Sequence, residues 1–336
     1  MRALVFQGPG LISVGDRPEP GVIADGDAVV RVTAAGLCGS DLHPYLGREP
    51  MARGVIPGHE AVGVVEAVGP AVEDISVGLR VIVPFTTSCG RCGPCRRGLS
   101  ARCELGALFG WRSPTEEAQG LDGCQAELVR VPLADTTLVT APDVDDRAAV
   151  LLADNLPTAF AAVDRARVGD SLTVVGLGAV GLSVVAIARR IGVERIIAID
   201  PVADRCAVAA MLGAEIDVSE APEPTSAVIE ASGSKAARRT AFGCVASGGV
   251  VSVISVQTAS DFAFSPIEAY DRNLTVAWGR APVRSILDSH VDLLTEVARD
   301  IAGSIVSETV PLSDGPATYA AFADRRFVKA AFDPAR

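Results

Sequence analysis

Two groups of residues in this chain have the types and spacing of metal ligands. Cys89, Cys92, Cys95 and Cys103 lie in one glycine-containing loop, SCGRCGPCRRGLSARC. Four thiolates so placed can close a tetrahedral shell around zinc, and a shell with no open position is structural, not catalytic. Arg91, Arg96, Arg97 and Arg102 flank them and partly offset the thiolate charge. An iron–sulfur cluster is the competing occupant; Cys103 at its spacing argues against a lone redox Cys-x-x-Cys pair. The second group is split between Cys38-Gly-Ser40-Asp41-Leu-His43 and Gly58-His59-Glu60. Thiolate and imidazole are good zinc ligands. Only three histidines occur in the chain, and two of them sit in these polar, glycine-flanked segments, which a core position would not need.

A third pattern, Gly176-Leu-Gly178-Ala179-Val180-Gly181, follows the strand-like LTVV and opens a helix-like run. The glycines permit a tight turn, close backbone approach to a pyrophosphate and close helix–sheet packing, with the helix N-terminus facing the phosphates. Asp200 ends the next strand-like run, where a carboxylate accepts from the adenosine ribose and repels a 2′-phosphate, favouring NAD over NADP. Arg205 is the one nearby residue that could reach a 2′-phosphate.

These groups need elements to position them. The chain has 336 residues, and at about 150 residues per domain that suggests two domains. Over the first 145 residues, short β-branched runs (27–34 and 61–68) alternate with Gly/Pro turns, which predicts an antiparallel β-rich domain. From 146 the texture changes. Residues 146–166 have helical spacing, with Pro157 expected to break or kink the helix. Strand, Gly-rich turn, helix and strand follow, then a helix ending on Gly213 and strands at 227–231, 250–256 and 274–279. Continuous Val/Ile runs alternating with helices predict a doubly wound parallel sheet, hence an α/β fold. A helix over 285–300 precedes the closing FVKAAFDP, and His290 within it is expected to be solvated. With 30 basic and 41 acidic residues the net charge is -11, which argues against nucleic acid and anionic membranes as partners. No apolar run approaches the roughly 20 residues of a membrane helix, and the N-terminus lacks a secretory pattern, so a cytoplasmic location is expected. Eight cysteines are too sparse for a disulfide scaffold.

AAGLCGSDLH, PGHEAVGVVEAVG, the four-cysteine lobe, GLGAVG and VKAAF together resemble the zinc-dependent alcohol dehydrogenases of the medium-chain dehydrogenase/reductase superfamily, nearest to the bacterial secondary-alcohol, threonine and formaldehyde dehydrogenases. The resemblance implies a GroES-like β-barrel catalytic domain over 1–147 and 285–336, with the structural zinc lobe at 88–104, and a Rossmann NAD-binding domain over 148–284. It implies two zinc ions per chain. The catalytic one would be held by Cys38, His59 and Asp154, the last in LLADNLPTAF, with Glu60 behind as an alternative ligand; without the resemblance, Asp154 reads as an ordinary helix N-cap. It further implies that Ser40 receives the alcohol proton, His43 ends the proton relay, Asp41 fixes the His59 tautomer, Thr158 lies near the nicotinamide and Lys329 near the pyrophosphate. A small-molecule alcohol or aldehyde substrate and a homodimer or homotetramer go with it. Tyr45, Phe109, Trp111, Asn155 and Trp278 are candidates for the pocket wall. Two departures from the family stand out: a shortened stretch near 215–226, and Ser255-Val256 where the family carries a glycine. The competing functional readings are an NADPH-dependent reductase of aldehydes or activated double bonds, and a non-catalytic zinc scaffold.

Overall fold

A computed structural model of the chain describes residues 1–115, 120–217, 222–258 and 264–336. The chain divides into two compact units, Met1–Asp154 with Pro282–Arg336, and Asn155–Ala281.

The first unit is organised by a seven-stranded sheet. Its path runs Val306–Pro311, Lys329–Asp333, Ala28–Leu37, Ala61–Val68, Arg80–Val83 and Val139–Thr140, and Leu128–Val131 pairs with Ala28–Leu37 beside that path. The outermost pair, Val306–Pro311 with Lys329–Asp333, is parallel; the other pairings are antiparallel. Ala28, Val30 and Val32 point into a core shared with Val65, Val81, Val83, Val129, Val131, Phe109 and Leu138, and Arg31 points out. Each large side chain so buried contributes about 1.5–3 kcal/mol. From Ala34 to Leu37 the strand is buried on both faces, and its residues there are all small or apolar. This strand delivers Cys38. A second core joins Leu4, Phe6, Leu37, Leu312, Tyr319, Phe322 and Phe332, tying the C-terminal helix Gly315–Ala323 to the same strand.

The second unit is a six-stranded parallel sheet in the order Glu215–Ile216, Arg195–Ile199, Ser171–Val175, Thr225–Glu230, Val245–Val253, Thr275–Trp278. Its inner strands are apolar without alternation because helices cover both faces. Chain order reverses between Ser171–Val175 and Thr225–Glu230. That reversal is the switch point at which open α/β sheets bind ligands. Glu215–Ile216 is a two-residue exposed edge; part of the shortened stretch after it, residues 218–221, lies outside the described residues.

Three local expectations change. The helix over 146–166 is two helices, Asp146–Ala153 and Asn155–Ala166, broken at Asp154 and not at Pro157. Proline removes the bond to the carbonyl four residues back and crowds it, so the effect of Pro157 falls on Ala153, while Pro157 itself sits in a first turn that tolerates it. The strand expected over 250–256 is Val245–Val253, leaving Ser255 and Val256 in the loop beyond. The helix expected over 285–300 spans Val283–Ile305, and His290, half-buried, sits at a kink within it. No helix among the described residues is long and apolar enough to cross a membrane.

Candidate metal centres and dinucleotide turn

The first candidate site lies wholly in the first unit. Cys38 ends the Ala28–Leu37 strand, and the Gly39–Asp41 turn after it carries Ser40. His59 precedes the Ala61–Val68 strand. The break between the two helices turns Asp154 out of helical geometry, at φ -151° and ψ -63°. One ligand atom each from Cys38, His59, Glu60 and Asp154 falls within 4.8 Å of the others. The Cys38 thiol is 3.5 Å from Asp154 Oδ2, and His59 Nε2 is 3.7 Å from the same oxygen. Zinc bonds of about 2.0–2.3 Å in a tetrahedron require ligand atoms about 3.3–3.8 Å apart, so the spacing fits a zinc ion.

The chemistry of the donors also fits. Burial, with the charges of Asp154 and Glu60, pushes the Cys38 thiol up. Burial alone would lower the His59 imidazole, but Asp41 and contacts with Asp154 and Cys38 together hold it well above its ordinary range. Without a cation, then, these ligands keep protons. A divalent ion relieves the repulsion that keeps them there, and a thiolate plus a carboxylate neutralise it. Asp41 Oδ1 lies 3.1 Å from His59 Nδ1. A carboxylate accepts, so Nδ1 carries the hydrogen and Nε2 is left bare for the metal. Ser40 Oγ stands 3.2 Å from that Nε2, within reach of anything bound beside it. His43, half-buried in the following short helix, keeps its Nδ1 buried without a protein partner. Glu60 is fully buried; burial raises its carboxyl even against the pull of Lys329.

The four-cysteine lobe fits a second zinc. The four sulfurs also come within 4.8 Å of one another, Cys92 and Cys103 being 3.9 Å apart. None forms a disulfide. Backbone N–H groups of Cys89 and Leu105 donate to the Cys103 sulfur at 3.2 and 3.4 Å, and Cys92 N–H donates to Cys89 at 3.4 Å. Backbone donors from Cys95 and Glu104 bring Cys92 down to about 6, and burial among the other sulfurs pushes Cys95 up to about 12. Cys89 is also lowered, against its burial, by backbone N–H donors, and Cys103 is raised by burial, so a metal ion would find two readier thiolates and displace protons from the other two.

In the second unit the Gly-rich turn joins Ser171–Val175 to the helix Ala179–Arg190. Gly176 has φ +97°, and a Cβ there would meet Ser232 at 2.8 Å; a Cβ on Gly181 would meet the Gly176 carbonyl oxygen at 1.9 Å. Gly178 faces open space, and no side chain caps the helix it begins. The first-turn amides of Ala179, Val180 and Gly181 thus belong to a helix end suited to an anion. Asp200 accepts from Leu177 N–H at 2.7 Å through Oδ2 and from Val202 N–H at 2.8 Å through Oδ1. It therefore holds the turn in place.

A family model described as the alcohol dehydrogenase GroES-like domain matches residues 24–143. A zinc-type alcohol dehydrogenase B of Aspergillus flavus is 36% identical, covering 99% of this chain and 81% of that protein. The chain belongs to the zinc-type alcohol dehydrogenase family. A medium chain reductase/dehydrogenase of Acremonium sp. is 39% identical over 81% of this chain and 98% of its own. The solved alcohol dehydrogenase of Thermus sp. ATN1 is 34% identical with a TM-score of 0.89, covering 99% of each chain. As in that family, the fold combines a GroES-like domain with a Rossmann-type parallel sheet.

The structure places the remaining sequence-predicted residues of this family member within their own elements. Lys329, expected beside the pyrophosphate, is fully buried in the first unit with Nζ 2.6 Å from Glu60 Oε2. Its ammonium is paired with Glu60, beside the candidate metal ligands. Phe109 is buried in the core of the first unit, and Tyr45, half-buried, packs against its second core. Thr158 and Asn155 are buried in the first turns of the Asn155–Ala166 helix. Arg205 is half-buried on the Ala203–Met211 helix, and Trp278 is on the exposed edge strand. The sequence reading missed Gln125 and Tyr319, behind Asp41, and Glu230, at the end of its strand; no motif or spacing marks them.

Proposed function

We propose that the protein is a zinc-dependent oxidoreductase that transfers hydride between a small-molecule alcohol, or its aldehyde or ketone, and NAD(H). The observation that carries this is the pairing of two unlike donor sets. Four thiolates close one shell, while Cys38, His59 and Asp154 make a mixed three-ligand set, with Glu60 beside them as a fourth donor drawn towards Lys329 and a hydroxyl, Ser40, adjoining. A three-ligand set leaves the position that catalysis needs. When bound, zinc supplies Lewis acidity towards a substrate hydroxyl, and the nicotinamide supplies the hydride acceptor. Ser40 Oγ relays the substrate proton, releasing its own hydroxyl hydrogen as it accepts the incoming one. His43, with its unpaired Nδ1, passes a proton on towards solvent. Asp41 holds His59 in the tautomer that binds metal. Glu60, with Oε1 buried and without a partner, stands ready as a further carboxylate ligand, its other oxygen anchored by Lys329. Gly176, Gly178 and Gly181 admit the pyrophosphate to the amides of the helix end, and Asp200 takes the ribose hydroxyls, which makes NAD the preferred cofactor. Assembly as a homodimer or homotetramer and a cytoplasmic location rest on the family alone.

Metal analysis and a panel of alcohols and aldehydes, followed at the nicotinamide absorbance with NAD and with NADP, test the reading. Two zinc ions per chain and alcohol-dependent NAD reduction are expected. One zinc with no turnover of any alcohol or carbonyl would return the protein to the scaffold reading.

A further inference from the structure

We propose that Gln125 and Tyr319 are positioning residues for the metal ligand His59, acting through Asp41; the inference rests on the reading of Cys38, His59 and Asp154 as a zinc site. Both side chains are fully buried, and neither touches a proposed ligand atom. Gln125 Nε2 faces two oxygens that can only accept, Gly36 O at 3.1 Å and Asp41 Oδ2 at 3.5 Å. Those acceptors fix which end of the amide is nitrogen. The remaining end, Oε1, accepts from the Tyr319 hydroxyl at 2.8 Å. Burial, reinforced by the charge on Asp41, holds that phenol protonated far above its ordinary range, so it donates. The direction of every bond follows: Tyr319 donates to Gln125, Gln125 donates to Asp41, and Asp41 accepts the His59 Nδ1 hydrogen at 3.1 Å.

Asp41 needs this support. Its Oδ2 also accepts from Cys38 N–H at 2.9 Å. The carboxylate is thus held between the Cys38 loop on one side and Gln125 on the other, and Oδ1 is aimed at His59. Without Gln125, one face of a side chain only 5% exposed loses its donor. Gln125 also packs against the loop of His59 directly. A Cβ on Gly58 would meet Gln125 Cγ at 2.5 Å, so the glycine before His59 is required by this glutamine as well as by its own φ of +90°. The Tyr319 ring lies between Tyr45, centroids 5.3 Å apart, and Phe332, 6.4 Å apart. Tyr319→Phe therefore keeps the packing and deletes only the hydroxyl.

The test compares wild type, Tyr319→Phe, Gln125→Leu and the double variant, each loaded with zinc and titrated with a chromophoric chelator, with the four-cysteine lobe as internal control. Supporting partners of metal-bound histidines are worth 10- to 100-fold in metal affinity. Gln125→Leu is expected to weaken the Cys38–His59–Asp154 zinc about tenfold, and Tyr319→Phe, one bond further away, about threefold. The lobe zinc and the far-ultraviolet spectrum should not change. In cobalt-substituted protein the visible bands of that site should shift. Tyr319→Phe should have no further effect once Gln125 is leucine, because the chain is already cut. Wild-type affinity and wild-type cobalt bands in Tyr319→Phe, or effects that add in the double variant, would overturn the proposal even if Gln125→Leu misfolds. Wild-type protein that binds zinc only at the lobe would overturn the metal-site reading, and this assignment with it.

Discussion

Replacing Asp200 with asparagine keeps its shape but removes its charge and one of its two backbone hydrogen bonds. In the structure both carboxylate oxygens are occupied, Oδ2 by Leu177 N–H at 2.7 Å and Oδ1 by Val202 N–H at 2.8 Å. Asparagine can accept only one of these; its amide nitrogen then faces the other N–H. A hydrogen bond to a charged group contributes about 1.5–3 kcal/mol, so Asp200→Asn should destabilise the protein by about that much. Selectivity has a separate origin. Two unit charges 4 Å apart repel by about 1 kcal/mol in water and about 4 kcal/mol at an effective dielectric constant of 20. Asp200 is half-buried, so a 2′-phosphate should lie between these limits. At about 1.4 kcal/mol per factor of ten, wild type should prefer NAD over NADP by roughly five- to several-hundredfold in kcat/KM. Asp200→Asn should bring the ratio close to one, chiefly because NADP improves. Asp200→Ala should narrow it by weakening NAD, because the ribose loses its acceptor altogether. Steady-state rates with each cofactor at saturating alcohol measure both ratios. Equal efficiency of wild type on NAD and NADP, or an undiminished preference in Asp200→Asn, would refute the assignment.

Cys103→Ala should release one zinc and lower the melting temperature while the other zinc stays, because a three-thiolate shell is open and binds less tightly; metal analysis with a thermal melt decides it. Ser40→Ala should cost about 10²- to 10⁴-fold in kcat, the usual worth of a group that takes a proton directly. His43→Ala should cost less and recover in part with added small bases, with zinc content unchanged in both. Burial and the Arg48 guanidinium, opposed by Asp41, hold His43 below its ordinary 6.5. The limb of kcat/KM that it governs should therefore lie below pH 6.5 and vanish in His43→Ala. The same shift makes unfolded chains bind the proton first, so His43 withdraws stability as pH falls from 6.5 through its folded value; urea melts of His43→Gln should lack that loss. Glu230 is fully buried and accepts from Ser232 N–H, Gly233 N–H and the Ser255 hydroxyl. Burial holds its carboxyl above the ordinary range. Glu230→Gln, which can keep both amides and donate to Ser255, should stay within about 1 kcal/mol of wild type at pH 7, while Glu230→Ala should lose about 2–5 kcal/mol by orphaning three donors; equal denaturant midpoints for the two would sink that account.

The candidate metal ligands of the four-cysteine lobe are legible because their chemistry is local. Cys89, Cys92, Cys95 and Cys103 lie in one loop, and the Gly-rich turn with Asp200 spans a single strand–helix–strand unit. Spacing in the chain there is close to spacing in space. Asp154 was legible only through its family, since a lone aspartate before a helix is usually a cap; what makes it available is the helix break that Pro157 imposes four residues back. Lys329 shows the opposite failure. The family resemblance set it near the pyrophosphate, but the Lys329–Asp333 strand pairs with Ala28–Leu37 and carries the ammonium into the interior against Glu60. A buried charge must find an opposite one, and only the sheet register decides which. The same holds for Gln125 and Tyr319. They lie 84 and 278 positions from Asp41 in the chain, and neither has a type or a spacing that suggests a metal site. Local sequence specifies ligands and turns because those depend on donor chemistry and backbone angles a few residues long. The groups that hold the ligands in place are specified by packing between distant segments, and packing exists only in the folded chain.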